Sequence, residues 1–178
     1  MNNLHNQIKA IVSPSICSQE IADYWFQRLE RGRLTRDEGS SSHLCCYFLP
    51  YNSEVKEVFI VYHRKSGLWL VPGGHIDQGE SLMQTLNREI EEELGVKDQI
   101  KQEIQPFLLT ITPINRPNHI CKEHMDIWYK FATDGSEFKA DSREFYQTRW
   151  TTISEARKLI TDPPNLEALS RIEKLFLD

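Results

Sequence analysis

The sequence predicts an α/β fold in which strands surround one central helix, and three observations carry that prediction. Six segments have the apolar or alternating character of strands, and a helix with an apolar stripe lies between the third and the fourth. Two further helical patterns follow the last strand. The chain has 178 residues, of which 39% are apolar and 26% are charged, so it suits one globular domain with an extension.

Residues 1–40 are predicted to form a helical extension that precedes the main domain, residues 41–178. Ser18 is placed to cap a helix, and a turn rich in glycine and serine at residues 39–42 marks the boundary. Apolar residues recur between these points at helical spacing: Ile21, Tyr24, Trp25 and Leu29. Packing of this helix against the core is favoured over a dedicated partner surface.

The six predicted strands of the main domain differ in length but share apolar or alternating patterns. They cover residues 44–49, 57–63, 68–71, 107–112, 125–133 and 145–151. After the last strand, Ser154 is expected to cap a short helix that ends near Ile160. The prolines at 163 and 164 are expected to break that helix, and residues 165–177 are predicted to form a final amphipathic helix.

The predicted central helix carries an apolar stripe and a separate cluster of carboxylates. The stripe repeats at four-residue steps: Leu82, Leu86, Ile90 and Leu94. Glu89, Glu92 and Glu93 lie three and four residues apart and share a face, whereas Glu91 is turned away. Clustered carboxylate oxygens suit Mg²⁺ or Mn²⁺, which also bind substrate phosphates. The alternative is an acidic, solvated helix face.

The same stretch resembles the Nudix box, G-x5-E-x7-R-E-U-x-E-E-x-G-U, in which U is aliphatic. Its fixed positions are all filled here, by Gly74, Glu80, Arg88, Glu89, Ile90, Glu92, Glu93, Gly95 and Val96. Residues 67–75, GLWLVPGGH, also resemble the segment that leads into the box in this family. The chain is therefore identified by resemblance as a Nudix hydrolase. The family implies an α/β/α sandwich with a central mixed sheet.

The resemblance also implies a reaction, which is attack of a water activated by Mg²⁺ or Mn²⁺ on a diphosphate linkage. By position, Glu92 and Glu93 are the expected metal ligands. Glu89 is expected to be a further ligand or the base that orients water. Arg88 and Glu80 are expected to form a supporting ion pair.

Two further site residues follow from the resemblance with less specific patterns. The backbone carbonyl just before the first box glycine, here that of Gly73, commonly contacts a metal in the family. Members also supply an acid from beyond the box, and Glu144, six residues before Trp150, resembles its placement. Glu123 and Asp126 compete for that role, and a loop carboxylate without a task is the alternative for Glu144.

Histidines and aromatic residues supply candidates for substrate contact. His75 follows the box glycines and is a candidate for phosphate contact or for packing in a turn. Trp128 is a candidate for stacking on a substrate base or for covering the sheet. His119, Cys121 and His124 lie close together in sequence but fit no standard zinc spacing, so a surface or substrate-facing loop is predicted there.

Charge and cysteine content restrict the partners and the compartment. A net charge of −5 gives no support to nucleic-acid or anionic-membrane binding. No secretory signal or membrane-spanning apolar run is visible. Four cysteines without a disulfide or zinc-ribbon spacing predict thiols in a reducing cytoplasm. The expected partner is a small nucleotide, with neither membrane nor nucleic acid, and family habit suggests a homodimer.

Several substrates and functions stay open at this stage. A nucleoside triphosphate leads by family frequency, and ADP-ribose, nucleotide sugars and dinucleoside polyphosphates are the alternatives. A non-catalytic Nudix-fold nucleotide-binding module is expected to have lost some of the box glutamates. An isomerase of the isopentenyl diphosphate type shares the fold but has an altered box, and the intact box argues against it.

Overall fold

The computed structural model describes residues 3–115 and 120–177, and seven strands within these ranges form one mixed sheet. The strands are β1 (Ser42–Asn52), β2 (Glu57–His63), β3 (Leu68–Leu70), β4 (Gly73–His75), β5 (Leu108–Pro113), β6 (Glu123–Ala132) and β7 (Phe145–Thr152). The order is β3-β2-β1-β6-β5, while β4 pairs with β1 and β7 pairs with β2. β1 and β6 run parallel, and the other pairs are antiparallel.

All six predicted strands are present, and β4 is an additional strand at residues 73–75, where a turn was predicted. Two of its three residues are glycines, which normally weaken a strand. Pairing with β1 overrides that tendency, because Gly73 lies opposite Tyr47 and His75 lies opposite Cys45. β4 therefore brings the start of the Nudix-box motif onto the sheet.

Five helices cover the two faces of the sheet. They are α1 (Asn3–Ile11), α2 (Gln19–Glu30), α3 (Leu82–Leu94), α4 (Ile153–Leu159) and α5 (Pro163–Glu173). Buried side chains of α1, α2 and α3 share one apolar cluster with Met125, Ile127 and Tyr129 of β6. Those of α4 and α5 share a second cluster with Trp128 on the other face. The predicted α/β/α sandwich with a central mixed sheet is confirmed.

The helix α3 is fixed at both ends by local interactions. Ser81 and Gln84 form a capping box at its start, in which each side chain accepts a hydrogen bond from the backbone of the other residue. Gly95 ends the helix at φ 70°, a conformation that glycine adopts without strain. The predicted apolar stripe is buried along its whole length, at Leu82, Leu86, Ile90 and Leu94. One face of α3 is thus anchored in the core, and its carboxylates are left at the edge.

The helix limits near the C-terminus differ from the prediction in two respects. Thr152, and not Ser154, caps α4, because its side chain accepts a hydrogen bond from the Glu155 amide. The last helix begins at Pro163, since proline is tolerated in the first turn, and Asp162 caps it. It ends at Glu173, and residues 174–176 continue as a short 3-10 helix.

The N-terminal segment forms two helices, of which only α2 was predicted. Ser18 caps α2 as expected. Trp25 is fully buried in the cluster that also holds α3, and the Tyr24 hydroxyl donates to both carboxylate oxygens of Glu123. In the preceding helix α1, the Gln7 side chain accepts a hydrogen bond from the first amide of α3. These contacts favour the packing role for the segment.

Two other sequence-based expectations concern cysteines and membranes. All four cysteines lie within the described ranges, where they are buried and form no disulfide. No helix in residues 3–115 and 120–177 is both long and apolar enough to cross a membrane.

Candidate active site

Of the four glutamates on α3, two are buried, one is exposed on the same side of the helix and one is turned away from the others. Glu89 and Glu93, one turn apart, are 7% and 6% exposed. Glu92 projects from the rim with 59% of its side chain exposed. Glu91 is turned away, as predicted, and its carboxylate lies 2.9 Å from Lys97 Nζ. Glu89, Glu92 and Glu93 therefore share one side of the helix, and Glu89 on that side lies beside β4.

The glycines of β4 allow the backbone to approach these carboxylates. A Cβ on Gly74 would lie 2.5 Å from Glu89 Oε1, so no larger residue fits there without displacing that carboxylate. Gly73 has φ 143°, and its backbone donates a hydrogen bond to Glu93. The Gly73 amide thus lies beside a box glutamate, and the metal contact of the Gly73 carbonyl stays a prediction.

Arg88 holds the acidic cluster together, and the predicted ion pair with Glu80 is present. Arg88 Nε lies 2.7 Å from Glu80 Oε1, and Nη2 lies 3.0 Å from Glu80 Oε2. Nη1 lies 2.7 Å from Glu89 Oε1 and 3.1 Å from Glu92 Oε2. Nη2 also donates to the backbone carbonyl of His75 at 2.8 Å. One guanidinium therefore orients three carboxylates and ties α3 to β4.

The environment separates the protonation behaviour of the box carboxylates. Burial alone would raise the pKa of Glu80, but hydrogen bonds from Arg88 and Thr85 bring it below its ordinary value. Burial raises the pKa of Glu89 to about 7, although Arg88 favours its charged form. Burial also raises the pKa of Glu93 well above its ordinary value, and the charge of Glu89 adds to this effect. Glu89 and Glu93 therefore need a cation nearby if both are to be charged.

One buried oxygen of this cluster lacks a protein partner. Glu93 Oε2 is inaccessible to solvent and has no hydrogen-bond partner among the described residues. A buried carboxylate oxygen without a donor is costly, and a bound cation would satisfy it. The candidate donors are the carboxylate oxygens of Glu89, Glu92 and Glu93, and hard oxygen ligands of this kind suit an ion such as Mg²⁺ or Mn²⁺.

Glu144 lies in the loop before β7, which is attached to the end of α3. The Asp141 amide donates to the Glu93 carbonyl at 2.9 Å, which fixes this loop against the helix. The Glu144 carboxylate lies 3.0 Å from Lys65 Nζ, and its charge contributes to the raised pKa of Glu93. The acid predicted from beyond the box is thus within electrostatic reach of a box glutamate.

The two competitors for that role are engaged elsewhere. Glu123 accepts hydrogen bonds from the Tyr24 hydroxyl and from Ser42 Oγ at 2.6 Å. Asp126 is 1% exposed, and its Oδ2 accepts hydrogen bonds from Thr110 and Thr112. It shares a sheet face with Trp128, opposite the apolar cluster of α3. These placements favour Glu144.

Trp128 is buried in the sheet-covering cluster on the face opposite α3. Only 1% of the residue is exposed, and its ring stacks on that of Tyr47 with the centroids 4.7 Å apart. Its indole N–H donates to Thr110 Oγ1 at 2.8 Å. This arrangement favours the packing role of Trp128 over the predicted contact with a substrate base.

His75 also points away from the acidic cluster. Side chains alternate along β4, and Gly74 faces Glu89, so the His75 ring lies on the opposite face of the sheet. There its centroid is 4.8 Å from the ring centroids of both His43 and His124. Burial and these neighbouring imidazoles lower the pKa of His75 to about 3. The placement gives no support to phosphate contact beside the box glutamates.

The sequence pattern did not predict this histidine cluster, because its members lie far apart along the chain. His43, His75 and His124 come from β1, β4 and β6, and strand pairing alone brings them together. The predicted strands gave no signal for this grouping, because β4 was not predicted as a strand and His43 and His124 each lie one residue before a predicted strand. His119, from the same predicted loop as Cys121, lies outside the described residues.

Comparisons with known proteins agree with this geometry. A family model described as the NUDIX domain matches residues 42–171. The structure is similar to an E. coli dihydroneopterin triphosphate pyrophosphohydrolase, with 19% identity and a TM-score of 0.56, covering 73% of this chain and 95% of that one. It is also similar to the NUDIX domain of Shewanella oneidensis NrtR complexed with ADP-ribose, with 16% identity and a TM-score of 0.58. That match covers 74% of this chain and 86% of the other chain. A C. elegans Ap4A hydrolase binary complex gives 19% identity and a TM-score of 0.56, covering 75% and 97%.

Proposed function

This chain belongs to the Nudix family, and from that premise we propose that it is a metal-dependent pyrophosphohydrolase. Its substrate would be a nucleoside diphosphate-linked compound, and the bond cleaved would be a phosphoanhydride. The observation that carries the proposal is the complete set of box glutamates on α3, of which Arg88 contacts Glu89 and Glu92, together with the unsatisfied buried oxygen of Glu93. A binding module that had lost catalysis would not need all of these glutamates.

Mg²⁺ or Mn²⁺ would be held by Glu89, Glu92 and Glu93, with the Gly73 carbonyl as a further candidate ligand. When bound, the divalent ion supplies Lewis-acid chemistry, since it neutralises negative charge on phosphate oxygens and makes a nearby water easier to deprotonate. Oxygen donors from three carboxylates fit this class of ion better than zinc or copper.

The chain's own residues would position the reactants and move the proton. Arg88 fixes the carboxylate of Glu89 through the 2.7 Å contact, and Glu80 holds Arg88 in place. Glu89 would either bind the ion or act as the base that accepts a proton from water, and these two roles are alternatives. Glu144, which lies in the loop before β7 and not on α3, would add a negative charge within electrostatic reach of Glu93.

A nucleoside triphosphate is our leading substrate, with ADP-ribose, nucleotide sugars and dinucleoside polyphosphates as alternatives. The similar structures carry names that refer to a triphosphate, ADP-ribose and Ap4A, which supports a diphosphate-containing ligand without choosing among these classes. The buried cysteines, none of them in a disulfide, support the reducing cytoplasm that we propose as the location.

The test is a panel of nucleoside triphosphates, nucleotide sugars, ADP-ribose and dinucleoside polyphosphates, incubated with purified protein and Mg²⁺ or Mn²⁺. Products are resolved by anion-exchange chromatography, and the Glu92→Gln variant is run in parallel. Release of a monophosphate and pyrophosphate would identify a triphosphate substrate. Absence of metal-dependent cleavage by folded protein, or conversion of isopentenyl diphosphate without phosphate release, would contradict the proposal.

Glu144→Gln is expected to lower turnover by about 10- to 100-fold while leaving the protein folded. The reason is that Glu144 acts on the buried Glu93 and projects from a loop fixed to α3. Turnover is measured with saturating Mg²⁺ on the substrate found in the panel. Glu123→Gln is the matched control, because it neutralises the competing carboxylate, and we expect little change in its rate. Equal rates for Glu144→Gln and wild type would remove Glu144 from the site.

The metal-free protein is expected to lose stability as the pH rises toward neutrality. The pKa of Glu89 is about 7 in the folded protein and about 4.5 in the unfolded chain. Between these two pH values the folded protein therefore binds more protons than the unfolded chain does. This contribution is fully present below pH 4.5 and is lost as the pH rises through about 7. Thermal melting in chelator should therefore show a Tm that falls across this range for wild type and less for Glu89→Gln.

Mg²⁺ is expected to raise the Tm of wild type most at about pH 8, where Glu89 has to be charged. The same addition should have a smaller effect on Glu89→Gln. If the melting curves of the two proteins stayed parallel at every pH, with and without Mg²⁺, the burial of Glu89 would not control metal-linked stability.

A further inference from the structure

A second group of ligand atoms lies on the sheet face opposite the box glutamates. One nitrogen from each of His43, His75 and His124, together with the sulfur of Cys121, lies within 4.8 Å of all the others. These residues come from β1, β4, β6 and the segment just before β6. His43 and Cys121 are buried, while His75 and His124 are half-buried, so none of the four residues is exposed.

The distance between two of the imidazoles suits a shared tetrahedral ion. His75 Nε2 lies 3.2 Å from His124 Nε2, and the two rings are nearly perpendicular, at 89°. Nitrogen ligands about 2.0–2.1 Å from a tetrahedral Zn²⁺ are separated from each other by about 3.4 Å. Without an ion, one of these nitrogens has to carry a proton and donate it to the other.

The third imidazole is oriented by a hydrogen bond of the type that supports metal ligands. His43 Nδ1 lies 3.0 Å from the backbone carbonyl of Ser40, and because a carbonyl only accepts, Nδ1 is the protonated nitrogen. This tautomer leaves the lone pair on His43 Nε2. Metal-binding histidines commonly donate their other N–H to a carbonyl or carboxylate, which fixes both ring and tautomer.

A second observation concerns neighbouring residues on the same face of the sheet. Ligand atoms of Cys45, His124 and Asp126 also lie within 4.8 Å of one another, so His124 belongs to both groups. Asp126 is 1% exposed, and its Oδ1 is buried without a hydrogen-bond partner in the described part of the chain. A buried, unsatisfied carboxylate oxygen beside the histidines indicates that a cation is expected in this region.

We propose that His43, His75, Cys121 and His124 form a Zn²⁺ site. Three imidazoles and one thiolate are ligands that zinc prefers, whereas Mg²⁺ and Mn²⁺ prefer the oxygens on the other face. Cys121 binds as the thiolate, and its proton passes to solvent. Four protein ligands leave no open position, so the site is structural. It joins β4, whose Gly73 and Gly74 lie against the box glutamates, to β1 and β6.

The proposal is tested on the full chain with Zn²⁺ in the presence of a large excess of Mg²⁺, which occupies the oxygen site. After gel filtration, elemental analysis is expected to find one Zn²⁺ per chain. Cys121→Ser is expected to lower zinc affinity by at least about 100-fold. Cys17→Ser removes a buried thiol elsewhere, and Glu92→Gln changes the oxygen site, so both variants should keep zinc at the wild-type level.

X-ray absorption at the zinc edge of the wild-type protein tests the ligands without any substitution, should Cys121→Ser fail to fold. The expected shell is three nitrogens at about 2.0–2.1 Å and one sulfur at about 2.3 Å. A shell without sulfur, or no zinc retained in excess Mg²⁺, would overturn the proposal. Zinc that survives Cys121→Ser but is lost from Cys45→Ser would also overturn it, because the ion would then belong to the Cys45, His124 and Asp126 group.

Discussion

Glu92→Gln is expected to keep the fold and to lower turnover with Mg²⁺ by about 1,000-fold or more. The substitution removes a charge at the rim, where 59% of the side chain is exposed, so the free energy of unfolding should change by less than about 1 kcal/mol. Its contact with Arg88, 3.1 Å between Nη1 and Oε2, is one that an amide can partly replace. The loss would therefore appear in catalysis and not in stability.

Glu91→Gln is the matched control for this experiment. Glu91 is the neighbouring residue on the same helix, it carries the same charge, and it is also exposed, but it faces Lys97. We expect its turnover to stay within about twofold of wild type, because a surface charge outside the site is weakly coupled to the reaction. If the two variants lost activity equally, net charge rather than metal ligation would explain the effect.

Gly73→Ala is expected to lower the free energy of unfolding by at least about 3 kcal/mol. The added Cβ would lie 2.3 Å from the Cys46 carbonyl oxygen and 2.6 Å from Tyr47 Cα, both in β1. Neither backbone atom can move without breaking the β1–β4 pairing. The φ of 143° adds strain for any residue with a side chain.

Gly79→Ala separates these two causes. Gly79 also has a positive φ, of 90°, but a Cβ there would meet no described atom within 4 Å. Its cost should therefore be limited to backbone strain, about 1–2 kcal/mol. Chemical denaturation of both variants measures the difference. A similar loss in each would mean that contact with β1 contributes little at Gly73.

The sequence was sufficient for the central helix and for the sides on which its side chains lie, because both depend on local spacing. The stripe from Leu82 to Leu94 follows from a four-residue repeat, and the separation of Glu91 from Glu89 and Glu92 follows from the helical angle. The strand pattern predicted six of the seven strands for the same reason, since alternation and β-branched residues are properties of neighbouring positions, whereas the mixed sheet was implied by the family resemblance.

Features that depend on pairing between distant segments were not predictable in this way. β4 is a strand only because β1 lies beside it, and α1 is a nine-residue helix that needs the core for its stability. The placement of Trp128 and His75 on the face away from α3 required the register of β6 and β4. The roles assigned to individual box residues stay predictions until the variants are measured.

The N-terminal helices influence the site without contributing any of its chemistry. Side chains of α1 and α2 belong to the same apolar cluster as the stripe of α3. The Gln7 side chain also accepts a hydrogen bond from the first amide of α3. Residues outside the Nudix-box motif therefore help to fix the position of the box glutamates. A fragment that started after residue 40 would expose one side of α3, so expression trials and inhibitor screens should use the chain with its first forty residues intact.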